Sequence, residues 1–515
     1  MNRTSKVALF VAVIVLVALA FSRQGLTEMR QARPDYEVLF TIPIGDAGLH
    51  YSGIGPESRP WGPSSFRIAS DGTFWIADTA AHRLVQFDES GTLLSVLEMP
   101  ESVVGITDFG MDARTFIVLD ASAVEPAVYR ISEAGVVLDR WTLLSGIETP
   151  TGVRVKGADL FLEQEGGAIV SRLADNGAGA LEKTAEANGL NISTLDKVFS
   201  LRTSQKQRNE RVRDTLARVA VLDFQSEHII PILVEEMVSL PILQVDQTVW
   251  LYDESLRSIG RARVPLAQQY VYVEHPVVVG PTGEVYALLT APEHVSVVRL
   301  NIHKELRPVL PTAPRQTGRD YLGTFEKACL ARDTMLATAS FYLNNIKSLT
   351  ATNISGSCSG RGKPRYLSSA GSYYSVPYDW GGNDTVAGFN SAMDASTNNK
   401  AGDIDTAASE TCSRGVDCSG YVGRIWGKSV KYNTDTLRNI SARLSSTAVL
   451  KQGDVMNKVS DHVALFVRTS SSGAYWYEST KFNSYDRVIY VYHPWSYFSL
   501  YEPRRFLDVC GGQSE

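Results

Sequence analysis

A loose repeat of short strands and tight turns constrains this chain more than any other feature. Its clearest copy runs Phe66-Arg67-Ile68-Ala69-Ser70-Asp71-Gly72-Thr73-Phe74-Trp75-Ile76-Ala77-Asp78, then His82 to Asp88, then Gly91-Thr92-Leu93-Leu94. That is strand, tight turn, strand, loop, strand, turn, strand. Weaker copies place their first turn at Asp112-Ala113-Arg114, Lys156-Gly157-Ala158, Asp196-Lys197, Asp246-Gln247 and Thr282-Gly283. The period of roughly 35–50 residues is that of four-stranded propeller blades. Six copies predict an all-β six-bladed propeller over residues 34–310. Tyr36 to Ile42 precedes the first copy, and as the outer strand of the last blade it would close the ring and leave no open edge. The charged stretch Ser204 to Arg218 reads as an insertion or long loop.

At 515 residues the chain exceeds one core and implies a multidomain protein. A net charge of −6 gives no basic surface, so nucleic acid is not an expected partner. Arg3 and Lys6 precede an uninterrupted apolar run from Val7 to Phe21, with Ala18-Leu19-Ala20 as a small-x-small pattern. Residues 1–22 therefore read as a signal peptide or a membrane anchor; the run is short of the about 20 residues a span needs. Either reading puts the bulk of the chain outside the cytoplasm. No cysteine follows the run, which excludes a lipoprotein anchor.

A second region begins after Pro308, Pro311 and Pro314, a stiff linker placed at residues 311–322. Phe325 to Ile346 has helical spacing, and residues 350–415 are rich in Gly, Ser and Asn. From Val416 a helix precedes strand-like runs at Val463–Val467, Ala474–Glu478, Val488–Tyr492 and Tyr501–Leu507. This is an α+β layout over residues 323–511.

Five cysteines fall in this region. In an oxidising compartment thiols pair, so Cys329, Cys358, Cys412 and Cys510 are expected to form two bridges of open connectivity. Cys418 remains, in Gly415-Val416-Asp417-Cys418-Ser419-Gly420-Tyr421-Val422, where a turn-forming approach meets a helix start. Unpaired N–H groups and the helix dipole there favour a thiolate. Asp461-His462-Val463-Ala464 places a histidine at the head of a strand. Together they suggest a Cys/His hydrolase.

Four segments carry a family resemblance. Pro377-Tyr378-Asp379-Trp380-Gly381-Gly382, Asp417-Cys418-Ser419-Gly420, Lys451-Gln452-Gly453-Asp454-Val455 and Asp461-His462-Val463-Ala464-Leu465-Phe466 resemble, in order, motifs of the NlpC-type cysteine peptidases, papain relatives that act on bacterial cell-wall peptides. The first repeat copy resembles NHL-type propeller blades, and blades three to five depart from it. The NlpC resemblance implies Cys418 as nucleophile, His462 as base and acid, and a third polar group on the next strand that orients the imidazole. Glu478 is the candidate there, with His493 on the following strand as competitor. It also implies Tyr378 as an oxyanion donor, with Asp417 and Ser419 beside the nucleophile in positioning roles and Asp417 capping the helix rather than reacting.

The implied activity is cleavage of peptidoglycan stem peptides, at a bond of the D-glutamyl–diamino acid type, in the periplasm, at the cell surface or in the secreted fraction. A protein or glycan ligand of the propeller is a further expected partner. No cofactor and no metal are expected, since no Walker loop, dinucleotide fingerprint or zinc spacing occurs. Two rivals stay open: an amidase, transpeptidase or acyltransferase on another envelope substrate, and a non-catalytic envelope scaffold. One departure bears on substrate: Asn383 to Arg414 intervenes between Trp-Gly-Gly and the cysteine, in the manner of a lid or binding loop.

Overall fold

The computed structural model describes residues 35–510, except 113, 144–146, 174–180, 183–190, 196, 204–205, 214–215, 223–227, 241, 281, 307–308, 310–328, 356–357 and 396–397. The expected signal peptide or anchor and the whole of the expected linker at 311–322 lie outside the described residues, as does the start of the helical pattern at Phe325. Among the described residues no helix is long and apolar enough to cross a membrane.

The chain is mostly β, and its first half is a six-bladed propeller. Six antiparallel sheets follow one another: residues 66–98, 108–142, 150–182, 191–211 and 218–264, with the sixth made of Val277–Val279, Val285–Thr290, His294–Leu300 and Tyr36–Pro43. Apolar clusters lie between consecutive sheets rather than within them. Phe40, Val278 and Val297 of the sixth pack on Phe66, Phe74 and Val85 of the first. Leu84 and Leu97 of the first pack on Phe109 and Tyr129 of the second, and similar clusters join the second to the third, the fourth to the fifth and the fifth to the sixth. Strand Tyr36–Pro43 pairs antiparallel with His294–Leu300, from Tyr36 opposite Leu300 to Pro43 opposite His294. The N-terminal strand thus closes the ring, as its place ahead of the first copy predicts. The first turn forms as read: Gly72 at φ +87° follows Asp71, whose carboxylate accepts from the Thr73 N–H (3.0 Å) and hydroxyl (2.7 Å).

Two propeller expectations are corrected. Asp246-Gln247 is no turn; both residues lie inside strand Gln244–Asp253, and the fifth sheet begins at Arg218–Val221. The charged stretch after Ser204 is no insertion; Gln207–Arg211 forms the third strand of the fourth sheet and Arg218 opens the fifth. The turn readings at Asp112-Ala113-Arg114 and Asp196-Lys197 rest partly on undescribed residues.

The second half builds a six-stranded sheet in the order Ser441–Arg443, Glu502–Phe506, Val455–Lys458, His462–Thr469, Ala474–Thr480, Arg487–His493, antiparallel throughout. Along the central strand Val463 and Leu465 point to one face, Ala464 and Phe466 to the other, as the two-residue strand period requires. The first face meets helices Arg332–Leu343 and Cys418–Ile425 through Met335, Tyr342, Tyr421 and Val422. The second face packs Trp476, Ile489, Trp495 and Tyr501 against Trp61, Met237 and Leu243 of the propeller. The sheet is sandwiched between helices and propeller, so this half shares a core with the propeller rather than standing alone on a tether.

The helical pattern read from Phe325 to Ile346 resolves as helix Arg332–Leu343, followed by strand Ile346–Leu349. Disulfides Cys329–Cys510 and Cys358–Cys412 form, and Cys418 is the free cysteine. Such bridges belong to a chain that matures in an oxidising, extracytoplasmic compartment. The stretch from Asn383 to Arg414 is not an open lid. It contains helix Val386–Asp394, capped by Thr385 and buried through Val386, Phe389 and Met393, and the parallel pair Lys400–Ala401 with Ser413–Arg414, pinned by the second disulfide.

Candidate functional site

Cys418 is the first residue of helix Cys418–Ile425. Asp417 caps that helix: its Oδ1 accepts from the Gly420 N–H at 2.7 Å and its Oδ2 from the Gly381 N–H at 3.0 Å. One carboxylate therefore ties the Trp-Gly-Gly segment to the nucleophile turn. The tie demands small residues, since a Cβ on Gly420 would lie 2.1 Å from the Gly382 carbonyl oxygen. Lys431 completes the cluster, its Nζ 2.6 Å from Asp417 Oδ1 and 2.8 Å from Ser419 Oγ. The Ser419 hydroxyl also donates to Asp417, at 3.1 Å. It is engaged in this cluster.

His462 heads its strand. The helix carrying the thiol packs directly on this strand and on the next, Ala474–Thr480. Glu478 on that next strand is fully buried. Its Oε2 lies 2.7 Å from His462 Nε2, and its Oε1 lies 3.2 Å from His493 Nε2. Glu478 thus takes the orienting place on His462, and His493, its expected competitor for that place, bonds to the same acid. Burial opposes ionisation of Glu478, and the histidines overcome it, holding its carboxyl well below the usual range. Burial in turn lowers His493, against the pull of Glu478. His493 stacks on Tyr497 with ring centroids 3.6 Å apart.

Tyr378 is buried beside the thiol, and its hydroxyl has no hydrogen-bond partner. Burial and the neighbouring Cys418, Asp417, Asp379 and Glu57 raise its pKa well above the ordinary value. It stays a protonated donor with nothing yet to donate to, as an oxyanion contact requires.

The thiolate expectation is corrected. Burial, with Asp417 and Glu57 adding their charges, pushes the Cys418 thiol well above its ordinary pKa, and Lys431 and the Val463 N–H offset this only in part. Desolvation outweighs the helix terminus in this state. The cause is a segment that the sequence reading did not single out. Residues 53–61 leave the propeller between its ring-closing strand and its first blade and cross the thiol. The Cys418 thiol donates to the Glu57 carbonyl oxygen at 3.9 Å. Glu57 is itself in the left-handed region, at φ +53°. The sequence signal for such a crossing is weak: the Gly53-Ile54-Gly55-Pro56 run inside a connection longer than blades ordinarily use.

No family model matches the chain, and no curated protein matches it. Among solved structures it is similar to a streptogramin B lyase (13% identity, TM-score 0.29, covering 49% of this chain and 96% of that one). It is also similar to a member of the DUF4221 family from Bacteroides vulgatus (11%, TM-score 0.34, 52% and 99%), and to a putative exported protein from Bacteroides fragilis (10%, TM-score 0.31, 52% and 96%). Each likeness spans about half of this chain; the propeller assignment stands on the sheet order and inter-sheet cores above.

Proposed function

We propose that this chain is an extracytoplasmic bacterial cysteine hydrolase of NlpC type, with a papain-like catalytic half, that cleaves peptidoglycan stem peptides at a D-glutamyl–diamino acid type of bond. The observation that carries the reading is one constellation: a lone free thiol at a helix start, beside a strand headed by His462, whose imidazole is bound to the buried acid Glu478. Such a set suits acyl transfer.

In this reading the Cys418 sulfur attacks the scissile carbonyl carbon and its proton passes to His462. The carbonyl becomes an oxyanion, met by the Cys418 N–H and the Tyr378 hydroxyl. His462 then protonates the leaving amine, and water, deprotonated by His462, releases the acyl group and restores the thiol. Glu478 holds the imidazole by Nε2 and stabilises its charged form. Asp417 positions the nucleophile turn, and Ser419 supports it through Lys431. The propeller, NHL-like only in its first blade, scaffolds the catalytic half and serves targeting to a glycan or protein of the envelope.

The test is digestion of purified muropeptides by the full chain, read by mass spectrometry, with Glu57→Ala included because Glu57 lies over the thiol. New products from the chain or from Glu57→Ala, lost on adding Cys418→Ala, are expected. Products unchanged by Cys418→Ala overturn the cysteine mechanism. The covered thiol favours a second reading, a non-catalytic envelope scaffold; no products from any protein would support it over the first.

A further inference from the structure

We infer that residues 53–61 form an autoinhibitory strap, in which the propeller lays the Glu57 peptide across Cys418 in the place of an acyl donor and keeps the site latent. The inference rests on the cysteine-hydrolase reading for the word latent, but the contact itself is geometric.

The strap is fastened at each step. The Trp380 indole N–H donates to the Pro56 carbonyl at 3.2 Å. The Glu57 N–H donates to the Ser460 carbonyl at 3.3 Å. Its carboxylate accepts from Thr434, at 2.8 Å from the backbone N–H and 2.5 Å from the hydroxyl. Arg59 then donates to the Tyr501 hydroxyl (2.8 Å) and the Tyr497 carbonyl (2.7 Å), with its guanidinium 3.6 Å from the Tyr497 ring centre. Trp61 ends the crossing, buried in the core shared with the sheet. These anchors come from both sides of the thiol: the Trp-Gly-Gly segment, the loop that follows the Cys418 helix, and the turn that precedes His462.

A groove wall would leave the sulfur open to substrate. Here Cys418 is 1% exposed, and a backbone carbonyl sits on it, so no acyl donor reaches the thiol until Glu57 moves. The strap is not itself cleaved in this pose. The sulfur meets the carbonyl oxygen at 3.9 Å, the carbon lies farther still, and attack needs the carbon at about 3–3.5 Å. The Tyr378 hydroxyl is buried and has no partner, so the strap leaves this donor unused. Glu57 occupies a backbone region that non-glycine residues avoid, so the bound pose carries strain that release would relieve.

The experiment measures alkylation of Cys418 by iodoacetamide in the folded, unreduced full chain. Wild type, Glu57→Ala and Thr434→Val are compared, with circular dichroism and melting to show that each is folded. Each substitution removes part of the Glu57 carboxylate clamp, and the labelling rate is expected to rise about tenfold or more, the scale set by losing a hydrogen bond to a charged group. Equal rates in the folded proteins, fast or slow, overturn the strap. Thr434→Val keeps the test alive if Glu57→Ala does not fold. Muropeptide digestion by the same variants separates the two ideas: faster labelling without cleavage keeps the strap and sinks the hydrolase reading, whereas cleavage with unchanged labelling does the reverse.

Discussion

Nε2 of His462 lies 2.7 Å from Oε2 of Glu478, and both side chains are shut off from solvent, at 3% and 0% exposure. A buried acid with two imidazole partners contributes most through what its loss leaves behind. Replacing Glu478 with Gln removes the charge and leaves one histidine N–H poorly matched. The variant is expected to lose about 3 kcal/mol, the scale for removing one partner of a buried pair. The pH dependence has a definite sign. The folded carboxyl sits below its ordinary value of 4.5, so the unfolded chain takes up the proton first as pH falls. The contribution is present above about pH 4.5 and is lost below it. Melting temperatures from pH 7 to 3 should fall more steeply for wild type than for Glu478→Gln; parallel curves would contradict the pair.

Glu274 has the opposite sign. It lies where the propeller meets the sheet, accepting from Asn483 Nδ2 at 3.1 Å. Burial, and then the charge of Asp108, push its carboxyl from 4.5 up to about 8. The folded chain keeps this proton where the unfolded chain has lost it. Its stabilising contribution is therefore fully present below about pH 4.5 and is lost as pH rises towards and through about 8. Glu274→Gln mimics the protonated form and can still accept from Asn483. It should melt at a temperature close to wild type at pH 5 and above wild type at pH 9. A gap that does not grow with pH would refute the assignment.

Gly420 is predicted to tolerate nothing larger. A Cβ there would stand 2.1 Å from the Gly382 carbonyl oxygen, a backbone atom that no rotamer can move. Gly420→Ala should separate the Trp-Gly-Gly segment from the nucleophile turn and cost about 3 kcal/mol or more, at the upper end for overpacking. Gly423 is the control on the same helix, with nothing within 4 Å of a Cβ. Gly423→Ala should be neutral or stabilising by up to about 1 kcal/mol. Urea denaturation of the two variants checks the contrast.

How far these features can be read from residues alone follows from which contacts are local. The Cys418 turn and the His462 strand are legible because a cap, two glycines and an apolar run lie within a few residues of each chemical group. The ring-closing strand is legible because it stands ahead of the first copy, where the last blade would otherwise keep an open edge. Asp246-Gln247 misled because polar residues mark turns only when water solvates them. Here Asp246 is bonded to Arg263 at 2.8 Å, and Gln247 to Glu235 at 2.7 Å, inside a long strand. The charged residues after Ser204 misled in the same way: Arg208 bonds Glu210 along one strand. The strap was illegible because its partner is 361 residues away, and no local pattern encodes a contact of that range. The thiol's raised pKa was hidden for the same reason, since the helix terminus is local and the cover that outweighs it is not.

The Cys358–Cys412 bridge closes a loop across a sequence separation of 54 residues. It contains Tyr378, the Trp-Gly-Gly segment and helix Val386–Asp394, so it limits how far this region can spread in the unfolded chain. Loop-closure entropy assigns such a bridge about 4 kcal/mol. The double variant Cys358→Ser with Cys412→Ser should lose that much in urea unfolding. It should also become sensitive to limited proteolysis between 383 and 414, while the propeller blades stay protected. Thiol counting supplies the companion measurement. The denatured, unreduced wild-type chain should titrate one free thiol, Cys418. The double variant should also titrate one, and adding Cys418→Ser should bring the count to zero. More than one free thiol in wild type would undo the pairing. It would also undo the reasoning that leaves Cys418 as the chain's single available nucleophile.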